Sequence, residues 1–243
     1  MYRRAHFKTR VSKVIANNWK YYSYVLNRNY IRQLLRTCEQ SRLYRNTELA
    51  VRDREWSHIL SICEGGNDRQ YFSDDKRSKN RCHQIDYRAL AETGEISDDL
   101  YYFRLCCLLE NAAKCANTAS VYGAFFKHLK QSAQKTLVIA PADYQINNGE
   151  HEVYNEDANS LIKRIEGDIL YLDPPYNSRQ YSANYHLLNT IADYKSFTPK
   201  GKTELREYNK SNYCSKAKVQ HTFKDLIRTP GSDTSYCRTI TKA

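Results

Sequence analysis

A chain of 243 residues, 41% of them hydrophobic, is long enough for one large domain or for one domain with an insertion. No apolar run approaches the roughly 18 residues that cross a bilayer, and the basic start of the chain lacks the apolar stretch of a secretory signal, so we expect a cytoplasmic protein without a membrane partner. The eight cysteines are irregularly spaced and include no C-x-x-C pair. This spacing favours free, buried thiols over a disulfide framework or a metal site, and we predict no metal.

The net charge of +11 is distributed unevenly along the chain. Residues 1–45 hold 11 basic residues and one acid, residues 195–243 hold 11 and four, and residues 46–194 hold 16 and 22. Basic ends around an acidic middle are consistent with a groove that attracts a polyanion. Charge alone leaves a merely solvated basic surface equally open.

The first unit, residues 1–35, has the pattern of a strand followed by a helix. The segment VSKVIANN, residues 11–18, is rich in β-branched residues and favours a strand. In WKYYSYVLNRNYIRQLL, residues 19–35, apolar side chains recur near helical spacing.

The second unit, residues 36–135, is polar and mostly helical in pattern. A loop-like stretch, CEGGNDRQYFSDDKRSKN, precedes an amphipathic helix. One face of this helix carries Tyr102, Leu105, Leu109, Ala112 and Ala116. We predict an inserted helical subdomain.

The third unit, residues 136–228, alternates strand and helix patterns. TLVIAP (136–141) favours a buried strand, ANSLIKRI (158–165) a helix, DILYLDPPY (168–176) a strand that ends at the prolines, and SANYHLLNTIADY (182–194) a helix. Such alternation is typical of a parallel α/β sheet.

The tetrad Asp173, Pro174, Pro175 and Tyr176 follows the apolar run ILYL. Ligands of α/β sheets collect at the carboxyl ends of strands. Because prolines cannot continue a central strand, they would stop it and fix the carboxylate relative to the ring. The alternative is a plain strand terminator with a tyrosine that covers the core, but the strand before and the ring after favour a site.

The tetrad and its surroundings carry a family resemblance. DPPY after ILYL resembles the catalytic motif of the S-adenosylmethionine-dependent adenine-N6 DNA methyltransferases of the D12 class, found in restriction-modification systems. Four blocks resemble that family in its order and extend the likeness over residues 10–228: VIANNWKYYSYVLNRNYI, NTASVYGAFFKHLKQSA, DPPYNSRQYSANYHLLNTIADY and FTPKGKTELREYNKSNYCSK.

The resemblance implies roles for particular residues. The Asp173 carboxylate and the Pro174 carbonyl would accept hydrogen bonds from the exocyclic amine of a flipped-out adenine, and Tyr176 would hold the base. Asp157, Asn18 and Asp173 would contact S-adenosylmethionine, although Asp157 is nearly as well suited to cap the helix that follows it. Contacts to double-stranded DNA are expected from Tyr122, Lys127, Asn177, Arg179, Tyr181, Lys200, Lys202 and Arg206. Units 1–35 and 136–228 would be parts of the catalytic domain, and 36–135 would recognise the target.

The sequence also departs from the family pattern. Residues 1–64 contain no glycine, so the glycine turn that lets backbone N–H groups approach the cofactor, and the first strand before it, are expected to be missing. Family members commonly end the second strand with an acid, where this chain has Asn17 and Asn18. Residues 229–243 are polar and unpatterned, and we predict a disordered tail. The predicted fold is therefore an α/β, Rossmann-like methyltransferase sheet that is incomplete and carries a helical insertion.

Two kinds of function follow from these expectations. The first is a site-specific adenine-N6 DNA methyltransferase of a restriction-modification system. The second is an inactive remnant that binds only DNA, or half of a split enzyme completed by another chain bearing the glycine turn. A structured-RNA or protein-glutamine methyltransferase ranks below both, because those enzymes usually carry Asn rather than Asp at the first position of the motif.

Overall fold

A computed structural model describes residues 10–32, 71–72, 88–119, 121–124, 126–135, 139–142, 149–175, 178–193, 195, 198, 200–201, 205–228 and 239–240. Their strands are β1 (Ile15–Asn17), β2 (Glu152–Tyr154), β3 (Tyr171–Leu172) and β4 (Thr239–Ile240). Their α-helices are α1 (Tyr21–Asn27), α2 (Asp98–Cys115), α3 (Gln131–Gln134), α4 (Ala158–Leu161), α5 (Tyr181–Asn184), α6 (His186–Asp193) and α7 (Val219–Arg228). A π-helical segment, Arg28–Arg32, continues α1, and a 3-10 turn spans Asn212–Cys214.

The strands pair in parallel, as predicted for an α/β protein. β1 pairs with β2, and β3 pairs with β4. Within the described ranges these are two separate two-stranded sheets, whereas the sequence predicted one sheet. A strand was predicted at 136–141. Residues 139–141 form no strand, and residues 136–138 lie outside the described part of the chain.

The start of the chain confirms the predicted strand and helix. β1 ends at Asn17, and the next side chain, Asn18, accepts a hydrogen bond at Oδ1 from the Lys20 N–H at 2.9 Å. Such an Asx turn redirects the chain out of the strand. The first N–H groups of a helix have no partner within the helix. In α1, the Tyr22 N–H donates instead to Asn189 Oδ1 of α6 at 3.1 Å.

The hydrophobic core forms where α1, α2 and α6 pack together. The predicted apolar face of α2 is confirmed: Leu105, Leu109, Ala112 and Ala116 are buried, and Tyr102 is half-buried at its edge. Ser97 caps α2 by accepting the Leu100 N–H at 3.3 Å.

This packing crosses the predicted boundaries at residues 35 and 135. α2 lies in the stretch predicted as an insertion, 36–135, and its apolar face is buried against α1 and α6, which lie in the units 1–35 and 136–228. The division of the chain into these units stays a prediction. Most of residues 36–87 lie outside the described ones, and for them the insertion stays a prediction.

A buried arginine also joins α1 to α2. The Arg28 side chain is 7% exposed, and its Nη2 lies 3.1 Å from Asp99 Oδ1. Its guanidinium stacks 3.9 Å from the centre of the Tyr102 ring. Beside this contact, Cys106 and Cys107 are buried apolar members of α2, as predicted.

The end of the chain departs from the predicted disorder. Thr239 and Ile240 form β4 beside β3, so the prediction is wrong for these two residues. Such pairing depends on backbone hydrogen bonds to a distant strand rather than on local pattern. Residues 229–238 and 241–243 lie outside the described part. Across the described ranges, no helix has both the length and the apolar character needed to cross a bilayer.

Candidate active site

The DPP part of the motif lies directly after β3. Asp173 is exposed, and Pro174 and Pro175 are half-buried in a segment without regular structure. Because proline has no N–H and a fixed φ, the two prolines end the strand there. The carboxylate therefore stands at the carboxyl end of a parallel strand, as predicted, while Tyr176 lies outside the described residues.

The other two predicted cofactor residues lie together at the end of the β1–β2 pair. The Asn18 N–H donates to the Tyr154 carbonyl at 3.2 Å, and Asn155 Nδ2 donates to the Asn18 carbonyl at 2.7 Å. Asp157 follows two residues later and caps α4, because its Oδ1 accepts the Ser160 N–H at 3.1 Å. The capping alternative for Asp157 is thus confirmed, and its contact with a cofactor stays a prediction.

Asn17, which with Asn18 stands where family members commonly have an acid, also strengthens this strand end. Its Nδ2 donates to the Glu156 carbonyl at 3.0 Å, and its Oδ1 accepts the Glu156 N–H at 3.2 Å. Both atoms of one amide thus hold the turn that leads from β2 to Asp157. The only sequence signal was its position at the end of VIANN.

A segment that we name the bridging segment, residues 209–214, contacts the loop after β1 and the helices α4 and α5. The carbonyl oxygen of Asn209 accepts hydrogen bonds from Lys20 Nζ at 3.2 Å and from Ser182 Oγ at 3.4 Å. The Tyr213 hydroxyl donates to Asn159 Oδ1 at 2.6 Å. The loop after β1, helix α5 and helix α4 are therefore neighbours.

The bridging segment lies within the family-like block FTPKGKTELREYNKSNYCSK, but no role was predicted for its residues. A signal was available in NKSNYC, which combines polar side chains with an aromatic ring, as loops near sites often do. Its partners, however, lie up to 189 positions away along the chain. Local pattern cannot identify contacts at that separation.

Burial perturbs the ionisable groups of this region. Burial lowers the pKa of the Lys20 amine, because the charged form loses solvation. Burial, together with the negative charges of Asp157 and Asp225, raises the pKa of the Tyr213 phenol. Tyr213 is therefore a neutral hydrogen-bond donor at physiological pH, which suits its contact with Asn159.

Several of the predicted DNA-contacting residues lie at the surface. Lys127 and Arg179 are exposed, and Tyr181 is half-buried with its ring 6.3 Å from that of Tyr185. Lys200 is exposed and forms a surface ion pair with Glu207 at 2.7 Å. These positions are compatible with DNA contact, which stays a prediction. Asn177 and Lys202 lie outside the described residues.

Two predicted DNA contacts need correction. Tyr122 is only 3% exposed and packs in the core, where its carbonyl accepts hydrogen bonds from the Tyr71 hydroxyl at 2.8 Å and from His186 Nε2 at 3.2 Å. Arg206 is mostly covered and pairs with Asp193 Oδ2 at 2.7 Å, so it fixes the end of α6. A buried ring and a covered, ion-paired guanidinium are poorly placed to reach a phosphate.

The described residues contain no group of three or more His, Cys, Asp and Glu side chains arranged to hold a metal ion. The polar groups at the strand ends are instead carboxylates and amides: Asp157, Asp173 and Asn18. Such groups suit hydrogen bonds to an organic ligand.

Comparison with known proteins identifies the family. The model of the D12 class N6 adenine-specific DNA methyltransferases matches residues 4–242. The type II methyltransferase M.NlaIII of Neisseria lactamica is 54% identical over 223 residues, 91% of this chain and 66% of the relative. M.FokI of Planomicrobium okeanokoites is 40% identical over 164 residues, which are 67% of this chain and 25% of the relative. M.CviAII of Paramecium bursaria Chlorella virus 1 is 39% identical over 173 residues, which are 70% of this chain and 50% of the relative.

No solved structure matches the chain significantly. The aligned part of the chain spans from a quarter to just under two thirds of the length of these three relatives. The family match covers nearly all residues and extends into residues 229–242, which were predicted to be disordered. The chain therefore belongs to the D12 class of N6 adenine-specific DNA methyltransferases.

Proposed function

We propose that the chain is a site-specific DNA adenine-N6 methyltransferase that modifies a short sequence in double-stranded DNA as part of a restriction-modification system. One observation carries the proposal: the exposed Asp173 carboxylate, followed by Pro174 and Pro175, at the carboxyl end of parallel strand β3. Membership of the D12 class supports adenine as the target base.

The chemistry explains why this position needs acceptors on a rigid frame. The exocyclic amine of adenine is a poor nucleophile, because its lone pair is delocalised into the ring. The Asp173 carboxylate and the Pro174 carbonyl would each accept one N–H of the amine, which draws the lone pair back onto nitrogen and stabilises the developing positive charge. The reaction needs no covalent enzyme intermediate, consistent with the burial of Cys106 and Cys107.

The target base must leave the duplex to reach Asp173. Flipping costs a few kcal/mol, and stacking on an aromatic ring recovers about 1 to 3 kcal/mol. Tyr176 is our choice for that ring. Lys127, Arg179 and Lys200 would contact the DNA backbone, together with Asn177, Tyr181 and Lys202.

The cofactor we propose is S-adenosylmethionine, which supplies an electrophilic methyl group on its sulfonium. Asp157 and Asn18 would bind it at the β1–β2 strand end, with Asp173 on the adjoining side. The residues fit this role in kind: Asn18 Nδ2 makes no hydrogen bond within the described part of the chain and can donate, and Asp157 keeps acceptor capacity beyond its contact with Ser160.

The experiment has two parts. Calorimetric titration of the purified chain with S-adenosylmethionine should release heat, and incubation with unmodified plasmid should produce N6-methyladenine at one mapped sequence. The variant Asp173→Ala should abolish the methylation.

Absence of binding heat and of methylation would instead support a remnant that binds only DNA. The comparisons lend no support to a separate complementing chain.

A further inference from the structure

The loop that carries the motif is held at its far end by a glutamine. We name its described residues, 173–175 and 178–180, the motif loop. Gln180 Oε1 accepts the N–H of Ser211 at 2.9 Å, and Gln180 Nε2 donates to the carbonyl of Ser211 at 3.4 Å. Both functional atoms of this side chain thus bind the backbone of one residue, which fixes the orientation of the amide plane.

The main chain of Gln180 is fixed as well. Its carbonyl accepts the N–H groups of Ala183 at 3.0 Å and Asn184 at 3.1 Å, so Gln180 begins α5. The same residue therefore couples the end of the motif loop to a helix and to the bridging segment. The preceding residue adds a weaker contact, since Cys214 Sγ donates to the Arg179 carbonyl at 3.7 Å.

The bridging segment is itself attached to the cofactor side of the site. Lys20 binds the Asn209 carbonyl just after β1, and Tyr213 binds Asn159 in α4. The backbone of the bridging segment thus joins hydrogen bonds from the strand ends that hold Asn18 and Asp157 to the hydrogen bonds that hold Gln180.

We propose that Gln180 is a positioning residue that sets the distance between Asp173 and the cofactor side. β3 fixes one end of the motif loop, and the prolines stiffen it. The position of its other end depends on the hydrogen bonds between Gln180 and Ser211. A misplacement of about 1 Å can cost about 100-fold in rate, so a single amide pair is sufficient to matter. This inference rests on the proposed methyl transfer.

The test compares Gln180→Ala and Gln180→Glu with the matched control Gln220→Ala. Gln220 is an exposed glutamine on α7, so the control removes the same kind of side chain outside the motif loop and the bridging segment. Glutamate keeps the acceptor for the Ser211 N–H but loses the donor to its carbonyl. Hydrogen–deuterium exchange of the full chain and steady-state methyl transfer to DNA are measured for each variant.

We expect Gln180→Ala to speed exchange at residues 178–184 and 211–213, and to leave β1 and β2 unchanged. Its kcat should fall about 10- to 100-fold while the KM for cofactor stays within about twofold, with a smaller fall for Gln180→Glu. The control should match the wild type in both measurements.

Unchanged exchange in Gln180→Ala, or a kcat equal to that of the control, would overturn the inference. A loss confined to KM would also overturn it, because a misplaced acceptor acts on the chemical step. If the wild type transfers no methyl group, the proposed function fails, and the exchange data alone still decide whether Gln180 anchors the loop.

Discussion

The Arg28–Asp99 pair tests whether α1 and α2 belong to one cooperative core. Arg28 lies at the end of α1, and Asp99 lies in the first turn of α2, 71 residues later. Arg28→Met keeps the apolar stem of the side chain and removes its charge, and Asp99→Asn keeps the shape and removes the charge. Each substitution breaks the pair from one side.

The magnitudes follow from burial. A hydrogen bond to a charged group contributes about 1.5 to 3 kcal/mol, and Asp99→Asn weakens it while the guanidinium stays 93% covered. Arg28→Met also loses the stacking on Tyr102, about 1 to 2 kcal/mol. Because Asp99 is 39% exposed, solvent screens part of the attraction, so we expect a coupling free energy of about 1 to 2 kcal/mol.

Urea unfolding of the wild type, both single variants and the double variant gives this coupling. The matched control is the exposed pair of Arg88 and Glu92, which lie one turn apart on a helical segment at 3.5 Å and should couple by at most about 0.5 kcal/mol. Additivity of Arg28→Met and Asp99→Asn within about 0.5 kcal/mol would refute the inferred link between the helices.

Three further predictions concern charge and burial. The hydrogen bond from Lys13 lowers the pKa of the Glu152 carboxyl. The pair therefore stabilises the fold at pH values above the ordinary carboxyl pKa, and this stabilisation is lost as the pH falls through the lowered pKa of Glu152. Lys13→Ala should raise the titration midpoint of Glu152, measured by NMR. Burial raises the pKa of the Cys107 thiol to about 12, so iodoacetamide at pH 8 should leave Cys107 unmodified in the native chain and modify it in urea, as mass spectrometry would detect. Lys127→Ala should weaken DNA binding and reduce its salt slope by about one, whereas Arg206→Ala should lower the melting temperature and leave the slope unchanged.

The parts of the fold that follow local pattern could be predicted. β1 and the helices α1, α2 and α6 were found because β-branched runs and helical spacing reflect burial directly. β2 was missed because three residues within the polar stretch HEVYNED give almost no periodic signal. β4 was missed because its formation depends on β3, more than 60 residues away.

In the candidate site, too, features that follow local sequence could be predicted, and features that depend on distant residues could not. Asp173 could be placed at a strand end because the apolar run and the prolines are adjacent in sequence. The burial of Tyr122 could not be foreseen, since the groups that bind its carbonyl, from Tyr71 and His186, lie 51 and 64 positions away. Arg206 lies in a charged stretch of sequence like many solvated basic residues, and its ion pair with Asp193, 13 positions away, leaves no local signal.

The central claim is that a fixed carboxylate after β3 activates the adenine amine. Single-turnover methyl transfer by Asp173→Asn tests it most directly, because asparagine keeps the shape and removes the charged acceptor. We predict a fall in rate of about 100- to 1000-fold with DNA affinity unchanged, by analogy with the removal of one preorganised hydrogen-bonding group. A rate equal to that of the wild type would contradict the account.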